Sequence, residues 1–294
     1  MHIDNRISGK TKIICLIGNP VEHSISPILH NTISRFMDID LAYVTFKVEK
    51  NDLETAVKGL KALNIQGFNI TVPYKKEIIK YLDENSKNAL LMGAVNTVKY
   101  MDGRFYGYNT DADGFLRSFR EETGESLMGR KIAIIGAGGA ARAIAAKAAM
   151  EDAKEICIIN RTLSKAQEIA EVVNNNIKKT VSCFCTEDAN SLDVLDESEI
   201  IINATSIGMY PETEFSPVGS FKGFKKEQIV YDVIYNPGKT KFLADAEKAG
   251  CTIINGLGML FYQAVYAYEI WTGIKLPEDI LKNMYISIKE QINI

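Results

Sequence analysis

The sequence predicts an α/β protein with room for two domains, one of them a doubly wound parallel sheet. Three observations carry this. The stretch Lys131–Met150 passes from a β-branched run (Ile132, Ile134, Ile135) through a glycine cluster into an alanine-rich segment that favours helix. A second strand, Glu155–Asn160, then falls where a βαβ unit needs it. Finally, 294 residues are enough for two sizeable cores.

Strand, tight glycine turn and helix N-terminus form the layout that binds the pyrophosphate of a dinucleotide. Gly136 permits the turn, Gly138 lets the backbone approach phosphate, and Ala141 stands where a third small residue packs helix on strand. The free N–H groups and the positive dipole end of the helix face the anion.

Composition narrows the function classes. A net charge of −3 provides no general basic field for nucleic acid or a membrane surface. The apolar run Ile13–Ile17 has strand length, too short for a signal segment or a span. The five cysteines, Cys15, Cys157, Cys183, Cys185 and Cys251, are odd in number and sit mostly in apolar runs, as buried thiols of a cytoplasmic protein would. Cys183-Phe-Cys185 has no second Cys/His cluster to complete a metal site, and the histidines are only His2, His23 and His30.

Taken in order, Lys12–Gly18 reads as a buried strand, and Ile28–Phe36 as a helix with Pro27 suited to its first turn. Between them lie Ser24 and Ser26. Two hydroxyls one residue apart in an extended loop point to the same side and can donate to one carboxylate; alternatively, Ser26 caps the helix. Ala42–Val48 alternates like a strand, and Asn51–Leu63 like a helix. Phe68–Val72 is a short strand stopped by Pro73, with a helix expected from about Tyr74 to Leu82. Asn69, Thr71 and Lys75 are thus delivered at a strand's end, where open α/β sheets place ligands. Lys75 and Lys76 read either as solvated charges or, since a cation at a helix start opposes the dipole, as groups held there by something else.

Gly93–Val98 and Phe105–Gly114 look like strand ends joined by an Asp102-Gly103 hairpin turn. They place Asn96, Asn109 and Asp111 just past apolar residues. Asp111 or Asp113 could cap a helix over Gly114–Glu122, and on local grounds the cap and active-site readings stand even. Beyond the second nucleotide-fold strand, Asn160-Arg161-Thr162 and Lys165 stand where an acid would select NAD and an arginine a 2′-phosphate. With no acid present, the pattern reads as NADP; the other reading is surface charge. Glu199–Met209 and Gln228–Pro237 are further strands with polar mouths, the second carrying Tyr235. Lys241–Ala249 is a helix closed by Gly250. Met259–Thr272 is an aromatic-rich helix read mostly as core, with Gln263 the exception near the ligand crevice.

With these residues in hand, the chain resembles the shikimate dehydrogenases over nearly its whole length. The matching segments are His23-Ser-Ile-Ser-Pro27, Asn69-Ile-Thr-Val-Pro-Tyr-Lys75, Gly93-Ala-Val-Asn-Thr97, Asn109-Thr-Asp111, Gly136-Ala-Gly-Gly-Ala140, Asn160-Arg-Thr162, Asn203-Ala-Thr-Ser-Ile-Gly-Met209 and Asn255-Gly-Leu-Gly-Met259 with Gln263. The resemblance implies an α/β substrate-binding domain (residues 1–113 plus 257–294) and a Rossmann-type NADP-binding domain (114–256), with a cleft between them. It implies NADPH-dependent reduction of 3-dehydroshikimate to shikimate, a step of aromatic amino acid biosynthesis. It assigns Ser24 and Ser26 to the substrate carboxylate; Thr71, Asn96, Asp111, Tyr235 and Gln263 to the ring hydroxyls and their surroundings; and Lys75, with Asp111, to catalysis. Gly136, Ala137, Gly138, Gly139, Ala140, Asn160, Arg161, Thr162, Lys165, Thr205, Val233, Gly256 and Met259 are the implied cofactor residues. The family includes monomers and homodimers. One departure is Asp111-Ala-Asp-Gly114, where many relatives have Gly directly after the first Asp. The rival readings are a quinate/shikimate dehydrogenase with mixed NAD/NADP use, and a non-catalytic NADP-binding sensor on the same fold. A methylene-tetrahydrofolate dehydrogenase is a more distant relation in architecture.

Overall fold

Two six-stranded sheets organise the chain. The computed structural model describes residues 7–188, 190–219, 221 and 223–292; the outermost residues of the expected first domain, 1–6 and 293–294, lie outside the described residues. Of the described residues, those up to Thr110 together with those from Gln263 onward form one compact unit, and those of Asp111–Tyr262 form another.

The first unit contains β1 (Lys12–Gly18), α1 (Ser26–Phe36), β2 (Leu41–Lys47), α2 (Leu53–Ala62), β3 (Gly67–Ile70), β4 (Glu84–Asn85), α3 (Lys87–Met92), β5 (Thr97–Met101) and β6 (Arg104–Tyr108). Its sheet is mixed, in the order β2-β1-β3-β5-β6-β4. β1 runs parallel to both β2 and β3, whereas β5 is antiparallel to β3 and β6. The expected hairpin forms: Met101 pairs with Arg104, and Asp102 and Gly103 take φ of 51° and 77°. On one face Leu53, Val57 and Leu60, at helical spacing on α2, meet Cys15, Phe68, Val98 and Phe105 in a common core.

The expected helix at Tyr74–Leu82 does not form. The segment makes turns and a short 3₁₀ helix, Glu77–Tyr81. The cause is local. The Lys75 carbonyl, which an α-helix would give to the N–H four residues on, instead accepts the Val95 N–H at 2.8 Å. Tyr74 and Ile78 are drawn into the core, and the Tyr74 hydroxyl donates to the Val48 carbonyl at 2.6 Å.

The second unit follows with α4 (Asp111–Thr123), β7 (Lys131–Ile135), α5 (Gly139–Met150), β8 (Glu155–Asn160), α6 (Leu163–Asn176), β9 (Val181–Cys185), α7 (Asn190–Glu197), β10 (Ile200–Asn203), β11 (Ile229–Asp232), α8 (Lys241–Lys248) and β12 (Thr252–Ile254). Its sheet is all parallel in the order β12-β11-β10-β7-β8-β9, so the strand order reverses beside β7. Doubly wound sheets place ligands outside the strand C-termini at that switch point. All the alanines of α5 except Ala140 are buried, Ala141 among them, which lets the helix lie close on the sheet.

The chain ends with α9 (Leu257–Thr272) and α10 (Glu278–Ile292). The aromatic residues of α9 that lie in the first unit act largely as core. Tyr268 is buried, and Trp271 donates from Nε1 to the Val98 carbonyl at 2.8 Å. α4 begins at Asp111, three residues earlier than expected. No helix among the described residues is long and apolar enough to cross a membrane. Among them, no group of three or more His, Cys, Asp or Glu is placed to hold a metal ion.

Candidate substrate and nucleotide sites

In the first unit the polar residues gather behind the ends of β1, β3 and β5. Ser24 and Ser26 are half-buried and face each other: the Ser24 hydroxyl donates to Ser26 Oγ at 3.1 Å, and the Ser26 N–H to Ser24 Oγ at 3.2 Å. No side chain caps α1, so Ser26 does not take the capping role. Deeper in, the Tyr43 hydroxyl donates to Asn69 Oδ1 at 2.8 Å. Asn69 Nδ2 donates onward to the Asn96 carbonyl and to Thr97 Oγ1, each at 3.0 Å. Asn96 then holds Thr110 twice, giving from Nδ2 to Thr110 Oγ1 at 2.9 Å and accepting the Thr110 N–H on Oδ1 at 2.8 Å. Asn109 Nδ2 donates to the Ala94 carbonyl at 3.0 Å.

This network is buried and contains no charge, and its groups satisfy one another as buried polar groups must. It fixes the backbone on either side of the candidate residues. Thr71 follows the end of β3, its N–H bonded to the Ile17 carbonyl at 3.0 Å. Lys75 is held through its own carbonyl by Val95. It is half-buried whereas Lys76 is exposed, so the two lysines part company. Lys75 does not start a helix, and the expected conflict with a helix dipole therefore does not arise. The second unit begins with Asp111, the peptide neighbour of Thr110, buried at the first position of α4; Asp113 is ion-paired with Lys147 at 3.0 Å. Tyr235 also belongs to the second unit, where it is half-buried with its hydroxyl raised above the ordinary range by burial; Gln263 of the first unit is buried on α9.

His30 belongs to this region and went unnoticed in the sequence. It is fully buried, stacked on Tyr43 with ring centroids 4.3 Å apart, and neither ring nitrogen has a hydrogen-bond partner. Burial pushes it down to about 3, so it is neutral.

In the second unit the glycine turn sits at the end of β7, beside the switch point. Gly136 takes φ of 108°, in the left-handed region that favours glycine, and a Cβ there would stand 2.8 Å from Thr205 Cγ2. Gly138 opens α5, and a Cβ on it would project into open space. These features fit a dinucleotide: room over the loop, a backbone that a phosphate can approach, and a helix N-terminus behind it. Ala137, Gly139 and Ala140 complete the turn. Asn160 ends β8 and donates from Nδ2 to the Thr162 carbonyl at 2.8 Å. Arg161, Thr162 and Lys165 are exposed, and neither cation is ion-paired with a described residue. No acid stands at this strand end, so the donor set suits a 2′-phosphate.

On the other side of β7, Thr205 donates from both N–H and hydroxyl to Asn203 Oδ1, at 3.0 and 2.7 Å. The Val233 N–H donates to the Asn203 carbonyl, and the Gly256 N–H to the Ile234 carbonyl, each at 3.0 Å. A side chain on Gly256 would collide with the Val233 carbonyl. Met259 lies buried on the first turn of α9. Asp232, also missed in the sequence, is fully buried at the end of β11. Its place inside the apolar run Ile229–Ile234 was the available signal.

A mixed α/β unit with a polar strand-end network, together with a doubly wound unit carrying a glycine-turn nucleotide site, defines a two-part nucleotide-binding α/β protein of dehydrogenase type. Three family profiles match along the chain: the shikimate dehydrogenase substrate binding domain over residues 16–98, shikimate / quinate 5-dehydrogenase over 119–211, and the shikimate 5′-dehydrogenase C-terminal domain over 256–283. The chain belongs to the shikimate dehydrogenase family. It is 46% identical to the shikimate dehydrogenase (NADP⁺) of Methanocaldococcus jannaschii, covering 95% of this chain and 98% of that one. Among solved structures it is similar to a shikimate dehydrogenase in complex with NADP⁺, with a TM-score of 0.84, 45% identity and 96% of each chain covered. It is also similar to the shikimate 5-dehydrogenase of Listeria monocytogenes in complex with shikimate and NAD, with a TM-score of 0.88, 41% identity, and 96% of this chain and 99% of that one covered.

Proposed function

We propose that this protein catalyses the reversible NADPH-dependent reduction of 3-dehydroshikimate to shikimate, a step of aromatic amino acid biosynthesis. The observation that carries the reading is the pairing, in one chain of this family, of the half-buried Lys75 beside a neutral polar network with an acid-free, doubly cationic strand end at Arg161 and Lys165. When bound, NADPH supplies the hydride for the C3 carbonyl carbon. The residues do the rest. Ser24 and Ser26 turn their hydroxyls to the substrate carboxylate, which a pair of donors holds in one orientation. Thr71, Asn96, Asp111, Tyr235 and Gln263 take the ring hydroxyls and their surroundings. As charge develops on the C3 oxygen, Lys75 stabilises it and delivers a proton from Nζ, forming the alcohol; in the reverse direction it takes that proton back. Asp111 accepts a hydrogen bond from a substrate hydroxyl and so orients the ring toward Lys75.

Arg161 and Lys165 receive the 2′-phosphate, with Asn160 and Thr162 shaping the loop. Gly136, Ala137, Gly138, Gly139 and Ala140 pass under the pyrophosphate. Thr205, Val233, Gly256 and Met259 form the wall at the nicotinamide end. The five cysteines are free, which suits a reducing compartment such as the cytoplasm.

The test is reduction of 3-dehydroshikimate by the purified protein. One NADPH consumed per shikimate formed, identified by NMR, supports the reading. No consumption under conditions where the protein is folded overturns it.

A further inference from the structure

We infer that Asp232 is a positioning residue for the nucleotide site, fixing the wall at the nicotinamide end by binding the loops that leave β10 and β11 to one buried carboxylate. The inference rests on the NADP reading and deepens it. Asp232 Oδ1 accepts Asn203 Nδ2 and the Ile234 N–H, each at 3.0 Å, and Oδ2 accepts the Thr240 hydroxyl at 2.7 Å. Each of these donors leads to a crevice residue. Asn203, its Nδ2 turned to the carboxylate, presents Oδ1 to the N–H and hydroxyl of Thr205. Ile234 carries the Gly256 N–H on its carbonyl, and Val233 is held by the Asn203 carbonyl. Thr240 closes the turn from β11 while accepting the Leu243 N–H that starts α8. Thr205, Val233 and Gly256 are thus referred to a single point. Thr205 is in turn the residue that crowds Gly136, so the same point sets one edge of the glycine turn.

The carboxylate is an expensive way to build this. It has no cationic partner among the described residues, and burial pushes it up to about 6. Near pH 8 it is ionised in a place that disfavours ionisation. A neutral amide would fill the same volume, but it has only one acceptor oxygen and would turn an N–H₂ toward Thr240. A residue retained merely for stability would not carry this cost; one that must accept three convergent donors would.

The experiment compares the parent with Asp232→Asn near pH 8, measuring dissociation constants for NADP⁺ and for adenosine 2′,5′-bisphosphate, which has the 2′-phosphate end and lacks the nicotinamide end. Urea unfolding is measured on both proteins. The expected result is a rise of about tenfold in the ratio of the NADP⁺ constant to the bisphosphate constant. The bisphosphate constant itself should stay within about twofold and the stability should be equal or greater. A ratio unchanged from the parent, or equal weakening of both ligands with a loss of stability, overturns the inference. If Asp232→Asn does not fold, Thr240→Val read against Thr240→Ser replaces it: the ratio should rise for valine and recover for serine, and no difference between the two counts against Asp232. A parent that fails to bind the bisphosphate overturns the NADP reading itself, a separate signature.

Discussion

Behind the strand ends of the mixed sheet, Tyr43, Asn69, Asn96, Thr97 and Thr110 form a buried network with no charge in it, whereas behind those of the parallel sheet the buried polar group is a carboxylate, Asp232, that accepts three donors. The two solutions serve different tasks. A neutral network holds the backbone around Thr71, Lys75 and Thr110 without a group that titrates near neutrality, which suits the proposed use of Lys75 for proton transfer. A carboxylate gathers more donors than an amide can, and does so at a cost in stability. Local rigidity is therefore obtained cheaply in the first unit and expensively in the second.

The largest effect is expected at Lys75, because the neutral network around it offers no substitute proton donor. Lys75→Ala should lower turnover by about 10²–10⁴-fold while leaving the shikimate dissociation constant within about tenfold, measured by steady-state kinetics and calorimetry. Near-normal turnover would remove Lys75 from the chemistry.

Asn69→Asp tests the comparison from the other side. It puts an unpaired carboxylate oxygen where Asn69 Nδ2 now faces the Asn96 carbonyl. The expected loss is about 3–5 kcal/mol of unfolding free energy near pH 8. A loss under about 1 kcal/mol would show that the network accepts charge and that the contrast between the sheets is not real.

Asp232 should leave a signature in the pH dependence of stability. Its folded value, about 6, lies above the 3.8 of an ordinary aspartate. The folded state therefore binds the proton more tightly, and the contribution is fully present below the lower value and is lost as pH rises through about 6. Between about pH 4 and 7.5 the parent should lose up to about 3 kcal/mol that Asp232→Asn does not lose, by urea unfolding across the range. Parallel curves would rule out this titration. The smallest expected effect is at the exposed Arg161, where Arg161→Ala should weaken NADPH by about 1.5–3 kcal/mol and leave NADH nearly unchanged. Equal losses for the two cofactors would dismiss the 2′-phosphate assignment.

Much of this was legible in the sequence where local rules and tertiary packing agree. The β7 strand, its glycine turn and the alanine helix satisfy propensity, pattern and turn chemistry at once, and they form as expected. The segment after Pro73 was misread because its apolar spacing suits a helix, while the decisive bond, Val95 N–H to the Lys75 carbonyl, joins residues that no local pattern relates. Ser26 admits two readings because capping and pairing with Ser24 both suit the local sequence; in the fold Ile25 stands at the cap position and the Ser24 hydroxyl donates to Ser26. The roles of Asp232 and His30 are not legible locally for a further reason. An apolar run marks Asp232 as buried but does not say for what; the meaning of both residues comes from partners brought close only by the fold: Asn203 and Thr240 for the one, Tyr43 for the other.

The most direct measurement pairs shikimate or quinate with NADP⁺ or NAD⁺ in four reactions and follows the absorbance of the reduced cofactor. The account predicts that shikimate with NADP⁺ gives the highest kcat/KM by at least about tenfold, matching the free energy assigned to the 2′-phosphate contacts. Preference for quinate with NAD⁺, or no turnover in any pairing by folded protein, would contradict it.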